Sequence, residues 1–308
     1  MADVGTLAND LHETRERFLA LVAEIRPDLH RYCARMTGSV TDGEDIVQET
    51  LARAYYALPE LYDLPPLRAW LFQIAHNRAI DHLRRYEARM SRPLDAIGDP
   101  LDLTDNPEDA LARSEAVSAA VTAFVHLPPV PRSCVILKDI LGHSLDEICT
   151  LLGLGLPAVK AALHRGRMQL RTGTSAPPGE RPTRAPSATV AKYAALFDAR
   201  DWEGVRALLA EDVRLDLVSR SQRIGRRAVG GYLSNYDALP GWRLGRAWLG
   251  AREVLAVFPD PASPAAAYFI EVVDDDAGQI VSIRDYRYVP YILRDAAIVL
   301  EEGPGWKR

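Results

Sequence analysis

Two stretches decide how this chain reads: Asp42–Leu58, DGEDIVQETLARAYYAL, and Leu67–Arg89, LRAWLFQIAHNRAIDHLRRYEAR. In the first, Ile46, Val47, Leu51 and Ala54 recur at helical spacing, and Asp45, Gln48, Glu49 and Arg53 fall on a polar side. In the second, steps of 100° per residue put Phe72, Ala75, Ala79, Leu83 and Tyr86 on one stripe. Arg78, His82, Arg85 and Arg89 form a neighbouring stripe. The spacing predicts two amphipathic helices, the second with one packing face and one basic face, joined by a loop made rigid by Pro59, Pro65 and Pro66.

Working outward, residues 10–36 carry Leu11, Phe18, Leu21, Val22, Ile25, Leu29 and Tyr32 at helical spacing, with an interruption expected near Pro27. They complete a helical domain over residues 10–90. Residues 91–107 lack sustained periodicity and read as an acidic linker. Helices resume at 108–125, and after LPPVPR come an apolar helix, SCVILKDILG, then SLDEICTLL, the turn GLG, and LPAVKAALHRGRMQLR. Ser144 and Glu147 have capping-box spacing, Gly153 and Gly155 allow a tight turn, and Pro157 suits the first turn of a helix. This is helix-turn-helix punctuation over residues 108–172, and the last helix surrounds Val159, Leu163 and Leu170 with Lys160, His164, Arg165, Arg167 and Arg171.

The net charge of −5 is unevenly distributed. Residues 156–171 have four Lys or Arg and no carboxylate, whereas 91–110 carry six carboxylates against Arg92 alone. Cys33, Cys134 and Cys149 are scattered, which predicts buried free thiols and neither a disulfide framework nor a metal site. No segment approaches the ~18 continuous apolar residues of a membrane span, and the N-terminus lacks a basic start and an apolar run, so no membrane partner and a cytoplasmic location are expected.

The order and spacing of DGEDIVQETLARAY and RAWLFQIAHNRAIDHLRR resemble the second conserved region of bacterial RNA polymerase sigma factors of the extracytoplasmic-function group. The helix-turn-helix downstream resembles the fourth region of the same sigma-70 family. The resemblance implies that Asp45, Gln48, Glu49 and Arg53 contact core RNA polymerase, whose β and β′ subunits would be partners. It implies that a base flipped out of the melted −10 promoter element is received near the inter-helix loop, with Asn77 reading its edge and Trp70, Arg78, His82 and Arg85 around it. Trp70 and Phe72 are the aromatics available for stacking, and helical spacing assigns Phe72 to the core. The −35 element would meet Lys160, His164, Arg165, Arg167 and Arg171. In this helix the family has a hydroxyl residue before the valine and a Ser-Arg pair after the lysine; here Ala158, Ala161 and Ala162 stand instead, which predicts altered or weaker −35 reading. The acidic linker would run near the path of the transcript.

A Pro-, Ser- and Gly-rich tether, residues 173–188, leads to a third domain over 189–300. Two helices, a strand VRLDLV, a short helix near RRAVGGYLSNY and then three strand-like regions predict an α+β domain with a curved antiparallel sheet folded over helices. This order resembles the NTF2-like (SnoaL-like) fold, some members of which are enzymes in which a pocket Asp takes a proton. Asp198, Asp216, Tyr268 and Tyr286 are the candidate pocket residues, with room for a small ligand of unstated identity. All seven histidines lie at or before His164, so no imidazole is available there for proton transfer. The expectation is a multidomain, non-enzymatic sigma factor without a cofactor, regulated in cis by its third domain. The motifs DGGGK and WLPEP of the best-known group with such an extension are absent. The tail VPYILRDAAIVLEEG is apolar enough to dock. The alternative is a DNA-binding regulator fused to a small-molecule-binding or polyketide-cyclase-like domain.

Overall fold

The computed structural model describes residues 4–58, 66–90, 117, 119–172, 186–239, 241–260, 263 and 265–301. The loop 59–65, the acidic stretch 91–107, residues 108–116, most of the tether and the side chain of Arg89 lie outside the described residues. Contacts divide the chain into a helical unit within residues 1–97 and 119–176, and an α+β unit that includes residues 177–308.

The helical unit begins with α1 (Val4–Thr37), α2 (Val40–Ala57) and α3 (Leu67–Met90). The interruption expected at Pro27 does not occur, and α1 continues through it. An interior proline costs roughly 3 kcal/mol, and here it is flanked by Ile25, Leu29, Tyr32 and Cys33, all buried on one face. Tertiary burial outweighs the local propensity. Ser39 caps α2 by accepting from the Asp42 backbone N–H at 3.2 Å. Gly43 is required for packing: a Cβ there would sit 2.6 Å from the backbone nitrogen of Ala34 on α1. Beside it, buried Glu44 accepts from Arg26 at 2.5 Å. Tyr86, assigned by spacing to the packing stripe of α3, is 57% exposed, because the stripe outruns the neighbouring helices.

The downstream helices are α4 (Pro129–Val135), α5 (Leu145–Leu152) and α6 (Leu156–Thr172). The capping box forms: Ser144 N–H donates to Glu147 Oε2 at 2.7 Å, and Glu147 N–H to Ser144 Oγ at 3.2 Å. Gly153 ends α5 at φ 65°, the left-handed cap that its sequence position suggests. The apolar helix expected over SCVILKDILG widens instead into a π-helical turn at Ile136–Ile140.

In the α+β unit, α7 (Ala188–Asp198) and α8 (Trp202–Ala207) precede β1 (Leu209–Leu217), β2 (Ser221–Ile224) and α9 (Arg226–Leu233). Then come β3 (Arg243–Leu249), β4 (Arg252–Phe258), β5 (Tyr268–Asp274), β6 (Ile280–Asp285) and β7 (Ile298–Leu300). One sheet holds all seven in the order β2-β1-β6-β5-β4-β3-β7. The α+β expectation is met, but the sheet is mixed: β1 and β6 run parallel, because the chain crosses through α9 and three further strands before returning beside β1. The apolar tail docks through β7, which pairs with β3. Alternation sends Tyr268, Ile270 and Val272 of β5 into the helix-facing core, and Phe269 and Glu271 to the opposite face.

A single apolar cluster runs through both halves of the helical unit. Leu29, Tyr32, Met36, Phe72 and Ala75 from the first three helices belong with Cys134, Ile136, Ile148, Val159 and Leu163 from the later ones. Cys33 and Cys134 are buried free thiols and Cys149 is partly buried. At the centre lies a polar node, in which Tyr32 Oη is 2.9 Å from His76 Nδ1 and 3.0 Å from Ser133 Oγ, and Ser133 Oγ is 3.1 Å from His76 Nδ1. Arg132, 5% exposed, donates to the carbonyls of Met36 at 2.6 Å, Leu127 at 2.8 Å and Val125. Phe72 meets the His143 ring edge-on at 5.6 Å.

Tyr32→Phe removes the hydroxyl but leaves Ser133 and His76 within reach of each other, so the expected loss is about 1–2 kcal/mol in urea unfolding of the helical unit. Burial lowers the pKa of both His76 and His143 from 6.5. The unfolded chain therefore takes up protons first, so the contribution is intact above pH 6.5 and lost as the pH falls through and below it. The urea midpoint is expected to drop between pH 7.5 and pH 5.5, and His76→Gln, which cannot titrate, should flatten that drop.

Candidate nucleic-acid interface

Because α2 buries Ile46, Val47, Thr50 and Ala54, its opposite side presents Asp45, Glu49 and Arg53, all exposed, with Gln48 half-buried at the margin. Glu49 is the junction of this surface. Its Oε1 lies 3.4 Å from Arg53 on the next turn and 3.3 Å from Arg78 on α3, and Arg78 also pairs with Asp81 at 2.6 Å. The residues expected to face polymerase and those expected to face the −10 element thus form one continuous charged ridge. Tyr56, on the same side of α2, is 78% exposed, and helical placement of the sequence would have found it.

On α3, consecutive residues point opposite ways. His76 turns inward to the polar node, whereas Asn77 is exposed and its amide has no partner among the described residues. Trp70 is partly buried against the core and Phe72 is 2% exposed, as the spacing suggested for Phe72. His82 is half-buried, and exposed Arg85 donates from Nε to the Asp81 carbonyl at 3.3 Å.

In the helix-turn-helix, α6 buries Val159, Ala162, Leu163 and Gly166. That leaves Lys160, His164, Arg167 and Arg171 along one flank, lining a groove of about 680 Å³ with Lys138 and Asp139 of the π-helical turn. Arg165 is exposed but does not line this groove. Arg167 makes a bidentate pair with Asp139, Nε to Oδ2 at 2.9 Å and Nη2 to Oδ1 at 2.5 Å, which fixes its guanidinium across the groove. Lys138 donates to the His143 carbonyl at 3.0 Å. Lys138 and Asp139 were not legible as groove residues, since their placement depends on the π-helical turn. Of the three alanines that depart from the family pattern, Ala158 and Ala161 face solvent and Ala162 lies in the core.

The four residues proposed from sequence to line a pocket in the α+β unit do not converge. Asp198 accepts from the Leu244 backbone N–H at 2.9 Å, with its pKa raised by burial. Asp216 pairs with Arg284 at 3.6 Å. Tyr286 stacks on Phe269 at 4.3 Å and donates to Glu271 at 2.7 Å, on the sheet face away from Tyr268. Tyr268 instead joins a cluster that sequence reading missed. Its hydroxyl is 2.9 Å from that of Tyr236, and Tyr232 and Tyr236 both donate to Asp285 Oδ2 at 3.3 Å. Burial raises the Asp285 pKa, and raises that of Tyr232 to about 12. The signal for Asp285 lay in strand alternation, which puts it on the same face of β6 as Ile283. Among the described residues no group of His, Cys, Asp and Glu could hold a metal ion, and no single helix is long and apolar enough to cross a membrane.

Residues 21–89 match the model of Sigma-70 region 2, and residues 119–170 that of Sigma-70, region 4. The ECF RNA polymerase sigma factor SigG of Mycobacterium tuberculosis is 35% identical over 234 residues, an alignment covering 65% of this chain and 62% of SigG. The chain thus spans less than two thirds of that relative's length. SigW of Bacillus subtilis, also an ECF RNA polymerase sigma factor, is 30% identical over 165 residues, covering 51% of this chain and 88% of SigW. The crystal structure of the extracytoplasmic function sigma factor SigJ of Mycobacterium tuberculosis matches at 19% identity and a TM-score of 0.35, covering 87% of this chain and 95% of that one. With most of SigW covered and both Sigma-70 regions matched in order, this chain belongs to the extracytoplasmic-function family of RNA polymerase sigma factors.

Proposed function

We propose that this protein binds core RNA polymerase, through the β′ and β subunits, and holds promoter DNA during initiation. The α2 set Asp45, Gln48, Glu49 and Arg53 faces the polymerase. Asn77, with Trp70, Arg78, His82 and Arg85, takes the −10 element, and Lys160, His164, Arg165, Arg167 and Arg171 take the −35 element. The observation that carries this reading is Asn77. It presents an exposed amide, unpaired among the described residues, one position from an inward-turned, half-buried histidine, so a rigid helix aims its donor and acceptor outward, as base-edge reading requires.

The α+β unit modulates this activity in cis and performs no covalent chemistry. A fusion of a DNA-binding regulator to an enzyme would need a reachable acid or base, and Asp285, the group best placed inside the domain, is 3% exposed beneath three tyrosines. Its raised pKa follows from burial, as it does for any carboxylate enclosed by a core.

Transcription in vitro with purified core polymerase tests the reading. Asn77→Ala should lower initiation roughly tenfold or more and relax preference at one −10 position, and Asp45→Ala with Glu49→Ala should weaken core binding. Folded protein that starts no transcript from any promoter of its own genome would sink the proposal. A chain ending at Ala176 should differ from the full chain in activity: a gain makes the α+β unit a brake, a loss makes it a required part, and equal activity removes its role in cis.

A further inference from the structure

Residues 220–227, RSQRIGRR, place four arginines and no carboxylate in eight positions of a chain with net charge −5. The fold gathers them along one border of the α+β unit. Arg220 lies in the turn between β1 and β2, Arg223 on β2 at the edge of the sheet, and Arg226 and Arg227 at the start of α9. Arg223, Arg226 and Arg227 line an open cleft of about 740 Å³ with Glu211, Tyr232 and Asn235. Only Arg226 is neutralised locally, by Glu211 at 2.7 Å. Arg220 and Arg223 lie over the rings of Tyr288 and Tyr232, at 4.5 and 5.6 Å, which restrains the guanidinium groups without cancelling their charge. Among the described residues Arg220, Arg223 and Arg227 make no ion pair, and the nearest further carboxylate in sequence, Asp216 on β1, pairs with Arg284 at 3.6 Å.

Charged side chains on an edge strand also guard against strand pairing between molecules. Either sign of charge serves that purpose, and it ends with the strand. Here the charge has one sign and continues beyond β2 into the turn on one side and the helix on the other.

We propose that this arginine border binds the phosphate backbone of the DNA duplex upstream of the −35 element, making the α+β unit a third DNA-holding module. The inference rests on the sigma-factor reading above. Residues 173–187 separate α6 from α7, and 15 residues reach at most about 50 Å. The start of α7 therefore stays within about 50 Å of the end of α6, which keeps the domain near the DNA that α6 occupies at a high effective concentration. The connecting sequence is itself basic, with Arg181 and Arg184 against Glu180. An acidic peptide such as residues 91–109 is the competing occupant by charge. DNA is favoured because it lies beside the domain's point of attachment in every initiating complex.

The test uses full-length protein in holoenzyme and two promoter fragments, one ending just upstream of the −35 element and one extended by about 25 base pairs. Wild type should bind the longer fragment roughly tenfold tighter at low salt, with a log–log salt slope steeper by about 2–3. The double variant Arg223→Glu/Arg227→Glu, which keeps a charged edge, should bind both fragments equally and still initiate on the shorter one. Arg223→Lys/Arg227→Lys should retain the gain, which keeps the test decisive if charge reversal disturbs folding. Equal binding of both fragments by wild type overturns the inference, as does a charge-reversed variant that keeps the gain. A charge-reversed variant that raises initiation on both fragments alike overturns it in favour of an internal acidic occupant. Failure to initiate on either fragment removes the sigma-factor reading itself, whereas failure of the inference alone leaves initiation on the shorter fragment intact.

Discussion

The helical unit depends on a buried guanidinium. Arg132 lies in the last turn of α4, almost wholly removed from water, and the desolvation of such a group is tolerable only when its donors are used. Its acceptors are carbonyls that lack intrahelical partners: Met36 at the last turn of α1, and Val125 and Leu127 in the turn before α4. The Met36 carbonyl carries the negative end of the α1 dipole, so the charge and this acceptor satisfy one another. The Tyr32, His76 and Ser133 node, adjoining Arg132 along the chain, satisfies three more polar groups in the same interface. An apolar interface could slide, but one that must satisfy a guanidinium and a three-way hydrogen-bond node has one register.

That register places the region 2 and region 4 segments around one core. Under the proposed function the two segments read separate promoter elements, and an opening of the shared core would let them move apart to engage both. Opening exposes Tyr32, Phe72, Ile136 and Leu137 and strands Arg132, a cost that polymerase and DNA must jointly offset. Either partner alone shifts the population toward the open form by no more than its own preference for it.

The sequence discloses those features whose cause is local. Helical periodicity locates α2 and α3, capping-box spacing locates the start of α5, and Gly153 supplies the left-handed end of that helix. What is not local is not legible. Pro27 argues against a continuous α1 until the burial around it is known, and β2 and β7 are too short and polar or too isolated to show alternation. The parallel pairing of β1 with β6 is a property of the closed sheet, not of either strand. The candidate pocket residues failed to converge for a related reason: of the four nominated, Asp216 and Tyr286 fall on one face of the sheet, whereas the register of β5 and β6 turns Tyr268, together with Asp285, to the opposite face.

The charged ridge on α2 and α3 behaves differently from the buried node, and the difference suits it to the partners of the proposed function. Exposed ion pairs such as Glu49 with Arg53 and Arg78 contribute between zero and about 1 kcal/mol each, so they hold side chains in place without resisting exchange. Under the proposed function a polymerase cation that takes Glu49 would leave Arg78, one residue from Asn77, with Asp81 as its remaining ion-pair partner, an exposed pair that a DNA phosphate would in turn exchange. In the buried node the same substitution would leave an unsatisfied group in the core. The protein therefore keeps its buried polar contacts where they fix geometry and its exposed ones where, under the proposed function, a partner would replace them without moving either helix.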